Sequence, residues 1–447
     1  MTYPLSHTVS VGDATEAAQY NNLRMDALCL GNDPESSGTL LQLLAAGMGN
    51  VRLSRTDLTS ITLTASEAEP CALVIGGKIY AVTSDIVYIY TAADQVWRGR
   101  LFLSAVPADD GSFTLTAGET VPTGARMIGT FLWDSEGIIP GTVRNCAEYQ
   151  EMLAGLDPSV CCGRLSASAG SAVPDSDINS SNGVYFVPYH GNKIGLWVGN
   201  TWEVFTFNSR LQLMLSTLTR YDVPHDIFVR ATKYGLEMTA VPWRSVTTRD
   251  INLGLLNGIK VLTNNQEQRY VGTIATHENG YTIDSAAARL IWNEYNRVRR
   301  PILAQVDTAA GSSSVSTAEE WLPYFGAGAA SVRVLLPDAA AEFELTGVGI
   351  SAAFTASQVS NGTYVAVGIL QDYAASQHTR QSVVPVFTHS QGNGPMSVTV
   401  RQYDSSVRGV HSYTLGYWTN NTAITPAGIV SGCGEAPGPG LHGAVFG

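Results

Sequence analysis

The chain has 447 residues, 45% hydrophobic and only 14% charged, with a formal net charge of −12. At roughly 100–200 residues per domain, this length predicts two to four domains, each able to bury its own core. The acidic balance repels phosphate backbones and excludes nucleic-acid binding, and the densest basic cluster, Arg297, Arg299 and Arg300, is too small for a membrane-surface patch.

Residues 1–55 read as a short helical segment. Asp13 stands as an N-cap with Glu16 at the third helical position. Ala14, Ala17, Ala18, Leu23 and Leu28 follow at helix-compatible spacing, and Gly31 ends the run. A second short helix is expected over 39–46. The segment is too small to own a core, so it is expected to dock on something else.

Residues 56–162 read as a first β-domain. Alternation of apolar and polar residues over 61–65 and 113–117 predicts half-buried strands, and Gly76-Gly77 predicts a hairpin. Asp109-Asp110-Gly111 is a turn signal, and a short helix is expected over 147–156, stopped by Asp157-Pro158. The Ser-, Ala-, Gly- and Asp-rich stretch 163–183 reads as a linker.

Residues 184–310 read as a second β-domain. A strand is expected at 184–189, a hairpin over 193–207 around Gly199-Asn200, and a strand pair at 221–231 and 235–241. Ala286, Leu290, Ile291 and Tyr295 lie near helical spacing and predict a helix over 285–297, capped by Asp284.

Residues 311–447 read as a C-terminal β-sandwich or jelly roll. Strands are expected at 332–336, 342–348, 364–370, 382–387, 397–403 and 411–418. The Gly/Pro-rich run 434–440 predicts an extended tail anchored by Phe446. The expected fold class is mainly β: several β-sandwich or jelly-roll-like units behind a short helical N-terminal docking segment, with one or two short helices.

The 6 cysteines include no C-x-x-C pair, so they are expected as reduced thiols packed like small hydrophobes, in a chain made in a reducing cytoplasm. Residues 1–7 lack the basic and apolar regions of a signal peptide, and no apolar run is long enough to predict a membrane span. No nucleophile elbow, phosphate loop or paired zinc-ligand motif appears, and the 8 histidines are scattered without i, i+4 pairs. No catalytic residue, metal or cofactor is therefore expected. Among carboxylates for glycan hydrolysis, Asp109, Asp110, Asp175, Asp177, Glu278 and Asp284, nothing singles out a pair: Asp109 and Asp110 are better read as a turn, and Asp175 and Asp177 as linker polarity. Sugar binding needs exposed aromatic faces, for which Tyr373, Tyr413, Tyr417 and Trp418 of the C-terminal domain are the candidates.

Arg269-Tyr270-Val271-Gly272-Thr273-Ile274, followed by Asp284-Ser285-Ala286 and then by Trp292-Asn293-Glu294-Tyr295-Asn296-Arg297-Val298-Arg299-Arg300-Pro301, forms a distinctive pattern. It resembles a segment of bacteriophage tail-fibre-like and virion structural proteins, in which an "RYLGT" strand precedes a "D-S-x-A-x-R-x-x-W-N-x-Y-N-R-V" helix. The opening, residues 7–13 with Asn21, Asn22 and Arg24, is similar to the start of such proteins, where the chain joins the particle. The resemblance covers about the first 30 residues and 184–302. It implies docking through Asp13, Asn21, Asn22 and Arg24, and a location in the virion.

The bland reading of the motif is structural. Trp292 and Tyr295 are expected to pack on a sheet, Asn293 and Asn296 to bond neighbouring loops or sister chains, and Arg297, Arg299 and Arg300 to pair with carboxylates. The expectation for the whole chain is a non-enzymatic phage structural subunit: a tail fibre or receptor-binding appendage. By analogy with phage fibres it is a homotrimer that contacts other tail or capsid proteins and host-surface glycan. A head fibre, decoration or baseplate protein, and a glycan depolymerase, are the alternatives.

Overall fold

The computed structural model describes residues 16–30, 51–76, 78–91, 98–134, 137–155, 157–277, 280–306, 321–323, 329–338, 343–348, 365–372, 408–419 and 440–447. They form a mainly β protein of several sheets. Contacts divide the chain into two units. The first comprises residues 1–160, 193–206 and 230–237, and the second comprises 161–192, 207–229 and 238–447.

In the first unit, strands Leu53–Arg55, Ser60–Leu63 and Ile86–Ile89 form a three-stranded sheet. Strands Phe113–Gly118 and Arg126–Asp134 flank Arg98–Pro107 in an antiparallel sheet, extended by the short strands Gly137–Ile138 and Arg144–Asn145. The alternation in 61–65 puts Ile61 and Leu63 inside, both with no exposed surface, beside Leu101, Leu103, Ile128 and Phe131. Cys71–Ile75 and Lys78–Val82 pair around the anticipated Gly76 turn, where φ is +58°. Lys193–Val198 and Thr201–Thr206 form the second expected hairpin, with Gly199 and Asn200 both at positive φ (52° and 64°), as a primed turn requires.

The expected helix at 147–156 is Cys146–Gly155. It starts with a reciprocal cap: the Glu148 N–H donates to Asn145 Oδ1 at 2.9 Å and the Asn145 N–H donates to Glu148 Oε2 at 2.8 Å. The N-terminal helix is Ala17–Leu30. Asp13 and the helix expected over 39–46 lie outside the described residues.

Burial suppresses the thiolate form of two cysteines. It pushes the Cys71 thiol up to about 12. It pushes Cys146 up to about 11 against the nearby Arg126 charge. Both are buried free thiols, as the sequence suggested. Ellman's reagent at pH 8 is therefore expected to leave Cys71 and Cys146 unmodified in the native protein and to titrate both in guanidinium. Rapid native labelling of either residue contradicts their packing.

Among the described residues, the second unit holds four sheets. One orders Gly235–Pro242, Pro224–Thr232, Asn265–Ala275, Ile259–Leu262 and Leu253–Leu256, with Ile291–Asn293 also pairing to Asn265–Ala275. Another orders Gly163–Ser166, Gly183–Pro188 and Leu211–Met214. The largest runs Ile178–Ser181, Thr282–Ser285, Ala288–Arg289, Ser331–Leu336, Gly409–Thr419 and Trp321–Pro323, with Val365–Gln371 also on Gly409–Thr419. The last sets Gly440–Phe446 between Arg299–Gln305 and Phe343–Val348.

Three sequence expectations are corrected here. Residues 285–297 are not a helix: the chain runs as strands Thr282–Ser285, Ala288–Arg289 and Ile291–Asn293, then turns at Asn296 with φ +55°. Leu290 and Trp292 join one core cluster, while Asn293, one residue on, bonds Leu165. The operative period is two, with both faces buried, and a short apolar run carries that signal no better than a helical one.

The stretch 163–183 is not a linker. Its two ends are strands, and Gly163–Ser166 is buried at all four positions. Small residues are used there for close packing rather than for flexibility. The expected boundary between 184–310 and 311–447 is also absent. Ala288–Arg289 pairs in parallel with Ser331–Leu336, and Arg299–Gln305 pairs with Gly440–Phe446, so the sheets cross it.

The strands expected at 332–336, 342–348, 364–370 and 411–418 appear as Ser331–Leu336, Phe343–Val348, Val365–Gln371 and Gly409–Thr419. Those at 382–387 and 397–403, and residues 434–439 of the tail, lie outside the described residues. Phe446 is 38% exposed and is not the anchor of the C-terminal strand; Leu441 and Val445 are, both inside the core.

Candidate functional site

The motif residues build a dense polar region in the second unit. Along the strand Asn265–Ala275, Arg269 is fully buried and its guanidinium lies 4.7 Å from the Tyr295 ring centre. The Tyr270 hydroxyl bonds Thr273 Oγ1 at 2.6 Å, and Thr273 Oγ1 donates to Asp226 Oδ1 at 2.7 Å. Asp226 in turn accepts two bonds from Arg249, at 2.7 and 3.2 Å. Burial, together with the Asp226 charge, raises Tyr270 well above the usual phenol range, so its proton stays in place. Gly272 admits no side chain: a Cβ there would collide with the Trp292 carbonyl and sit 2.8 Å from Leu165 Cδ1.

The second half of the motif stitches strands together. Asn293, 1% exposed, accepts the Leu165 N–H at 2.6 Å and donates to the Leu165 carbonyl at 3.2 Å, acting as one residue of a missing partner strand. Asn296 Nδ2 donates to the carbonyls of Cys161 (2.7 Å) and Gly163 (3.0 Å). Its left-handed backbone is one that asparagine tolerates. Arg297 lies over the Trp292 ring at 4.4 Å and reaches the Asn293 carbonyl and Glu294.

Asp284 binds Arg289 at 2.7 Å and Arg300 at 3.2 Å, all three buried. Arg164 spends its guanidinium on the carbonyls of Ala172 (2.7 Å), Leu165, Asn296 and Gly447. Burial pulls Arg164 down to about 10, with the Asp284 charge opposing the shift. The expected partners of Asn293, Asn296, Trp292, Tyr295, Arg297 and Arg300 are thus met within the chain. Arg299 departs from expectation: it is exposed and makes no ion pair among the described residues.

Replacing Asn293 by Ala strands the buried Leu165 N–H and leaves the Leu165 carbonyl with the Arg164 guanidinium as its donor. At about 1–3 kcal/mol for an unsatisfied buried group, Asn293→Ala is expected to lower unfolding stability by about 1–3 kcal/mol. Urea denaturation of the full chain reads this directly. A change below about 1 kcal/mol, inside the spread of ordinary surface substitutions and single hydrogen bonds, would show that water replaces the side chain.

Of the aromatic residues expected to meet glycan, Tyr413 is the one whose side chain is described. Tyr413 is fully buried against Phe343, ring centres 4.8 Å apart, so neither face is free for a sugar. Tyr417 and Trp418 stand on the strand Gly409–Thr419, flanked on both edges by Trp321–Pro323 and Val365–Gln371. Tyr373 lies outside the described residues. Of the expected docking residues, Asn21, Asn22 and Arg24 lie on the helix Ala17–Leu30, Asn21 exposed and Asn22 half-buried. Tyr20 and Leu23, one turn apart on that helix, are 72% and 60% exposed.

The first unit carries a groove of about 650 Å³ lined by Arg144, Glu148, Glu151, Asp157 and Lys193 among others. Most of these groups are already committed. Glu148 caps the helix, and Asp157 accepts the Ser159 N–H at 2.9 Å and the Ser159 hydroxyl at 2.6 Å. Arg144 donates to the carbonyl of Gly141 at 2.7 Å. Glu148, Glu151 and Asp157 are all exposed at this groove. Glu203, 1% exposed, is held between Arg100 and Arg144 as a buried ion triad. Among the described residues, no group of three or more His, Cys, Asp or Glu could hold a metal ion, and no helix is long and apolar enough to cross a membrane.

No protein-family model matches the chain, and no curated protein matches it. Among solved structures, comparison finds a glycoside hydrolase family 43 arabinoxylan arabinofuranohydrolase from Bacillus subtilis in complex with cellotetraose. It is 11% identical over 90% of this chain and 80% of that one, with a TM-score of 0.15, a likeness from which no fold or function is carried over.

Proposed function

We propose that this chain is a non-enzymatic structural subunit of a bacteriophage particle, a tail fibre or receptor-binding appendage that attaches the virion to the host surface. The observation that carries the reading is the motif in 269–301. Its pattern resembles phage virion structural proteins, and its polar side chains are consumed in tying strands together, as Asn293 does with Leu165. A segment so spent on backbone carbonyls and internal ion pairs serves rigidity, which an appendage under mechanical load requires.

Two further features support the reading. The helix Ala17–Leu30 exposes Tyr20 and Leu23 in the segment assigned to docking. Buried free thiols suit a chain made in the cytoplasm and released with the particle. The subunit assembles as a homo-oligomer, a trimer by analogy with phage fibres, and contacts other tail or capsid proteins.

The test has two arms. Mass spectrometry and gold labelling of purified particles are expected to find the chain on the tail; labelling of the capsid wall moves it to a head fibre or decoration role, and absence from particles refutes the reading. Light scattering is expected to give three times the 47.6 kDa chain mass. A stable monomer at micromolar concentration removes the trimer. Release of oligosaccharides from host polysaccharide would replace the structural role with a depolymerase.

A further inference from the structure

The register of strands Pro224–Thr232 and Asn265–Ala275 pairs Pro224 with Ala275, so the residues before the first strand and after the second emerge at the same end of the sheet. Tyr221 and Asp222 arrive there from one side and His277 from the other. The chain then turns: the Gly280 N–H donates to the His277 carbonyl and the His277 N–H to the Tyr281 carbonyl, both at 2.7 Å. The turn stacks the His277 imidazole on the Tyr281 ring, centres 5.0 Å apart and planes within 8°.

Gly280 sits at φ +76°, and a Cβ there would lie 2.8 Å from Tyr221 Cε1 and 3.1 Å from its Cζ. The Tyr221 ring is therefore laid against bare backbone on one side, yet it remains 40% exposed. Asp222 beside it is exposed and held at φ +59°, a backbone region that costs free energy for a non-glycine residue. A part-exposed ring backed by bare backbone, a stacked pair in the turn that supplies that backbone and an exposed carboxylate on the next residue match what a pyranose requires. Its C–H face stacks on an aromatic ring and its hydroxyl pairs donate to an acidic fork. The ring is fixed before binding, so little side-chain freedom is lost on stacking.

We propose that Tyr221, Asp222, His277, Gly280 and Tyr281 form a glycan-binding platform that takes neutral hexose or N-acetylhexosamine units on the open face of Tyr221. This places sugar recognition at a site other than the C-terminal aromatics, and it deepens the attachment role proposed above by naming its contact surface and ligand class.

The probes are an array of bacterial surface polysaccharides together with hexamers of β-1,4-glucose, α-1,4-glucose and β-1,4-N-acetylglucosamine, applied to the full chain. The best binder is then followed by calorimetry. Tyr221→Ala is expected to weaken binding about tenfold, and Tyr221→Phe to keep it within about threefold, because the stacking face survives. Gly280→Ala pushes the ring off its support and is expected to weaken binding without touching any sugar contact. Tyr234→Ala, at a residue 78% exposed in the other unit, is expected to change nothing. Near-ultraviolet dichroism of each variant checks that the fold persists.

Binding that Tyr221→Ala leaves unaltered overturns the platform, as does a wild-type chain that binds none of these sugars. A blank array with the chain present on particles sinks the platform alone. Tyr221-dependent sugar binding by a chain absent from particles keeps the platform and sinks the particle role.

Discussion

Deleting residues 440–447 is expected to prevent the second unit from folding. Gly440–Phe446 is an interior strand, paired along its full length with Arg299–Gln305 on one edge and with Phe343–Val348 on the other. Its removal exposes two rows of backbone donors and acceptors at once. It also withdraws Leu441 and Val445 from a core that includes Ile302, Val332, Leu345, Tyr413 and Leu415. Each apolar side chain contributes about 1.5–3 kcal/mol by burial, and the strand pairing adds to that. The total matches or exceeds the whole stability of an ordinary domain, about 5–15 kcal/mol. Beyond the strand, Gly447 exchanges backbone hydrogen bonds with Val298, and its carbonyl accepts from Arg164. Calorimetry of the truncated chain is expected to lose the cooperative transition of the second unit, with proteolysis near 299–305. The milder Leu441→Ala is expected to cost about 2–5 kcal/mol. A truncated chain that melts like the full one would show this strand to be dispensable.

Asp284→Ala is expected to cost about 3–5 kcal/mol, because it leaves Arg289 and Arg300 buried without their shared counter-charge. Both guanidinia are under one-tenth exposed, so water cannot take over from the carboxylate. Arg289 also donates to the Pro301 carbonyl at 3.0 Å and Arg300 to the Pro174 carbonyl at 2.9 Å. The carboxylate thus joins the segment around Pro174 to the strand Arg299–Gln305. Denaturant unfolding of Asp284→Ala, Arg289→Leu and the double variant forms a cycle that isolates the pair. The double variant is expected to be more stable than Asp284→Ala alone, since it removes one stranded cation. Additive losses would mean that the two side chains do not share an interaction.

How much of this was legible beforehand differs from one residue class to another. The alternation in Ile61–Leu63, the turns at Gly76 and Gly199-Asn200 and the short helix expected over 147–156 are local signals, and each maps onto the element it suggested. The partners of Asn293 and Asn296 were legible only as a class, since "a neighbouring loop" became Leu165, Cys161 and Gly163, about 130 residues away in sequence. Helical spacing over 285–297 misled because Ala286, Leu290 and Ile291 satisfy two periods at once. The choice fell to strands once Leu290 and Trp292 found a core on one side and Asn293 found Leu165 on the other. The glycan candidates were drawn from residue type alone. Whether a tyrosine such as Tyr413 or Tyr221 is sealed or open depends on the neighbours that the fold brings to it.

Taken by itself, the amino-acid order determined the mainly β character and the tight turns, because each depends on interactions within a few residues or on overall composition. Tertiary structure alone decided that 163–183 belongs to the sheets, that no boundary falls near 310, and that the last strand lies inside a sheet rather than trailing as a tail. Strand pairing joins segments hundreds of residues apart through backbone groups that every residue carries, so no local pattern names the partner.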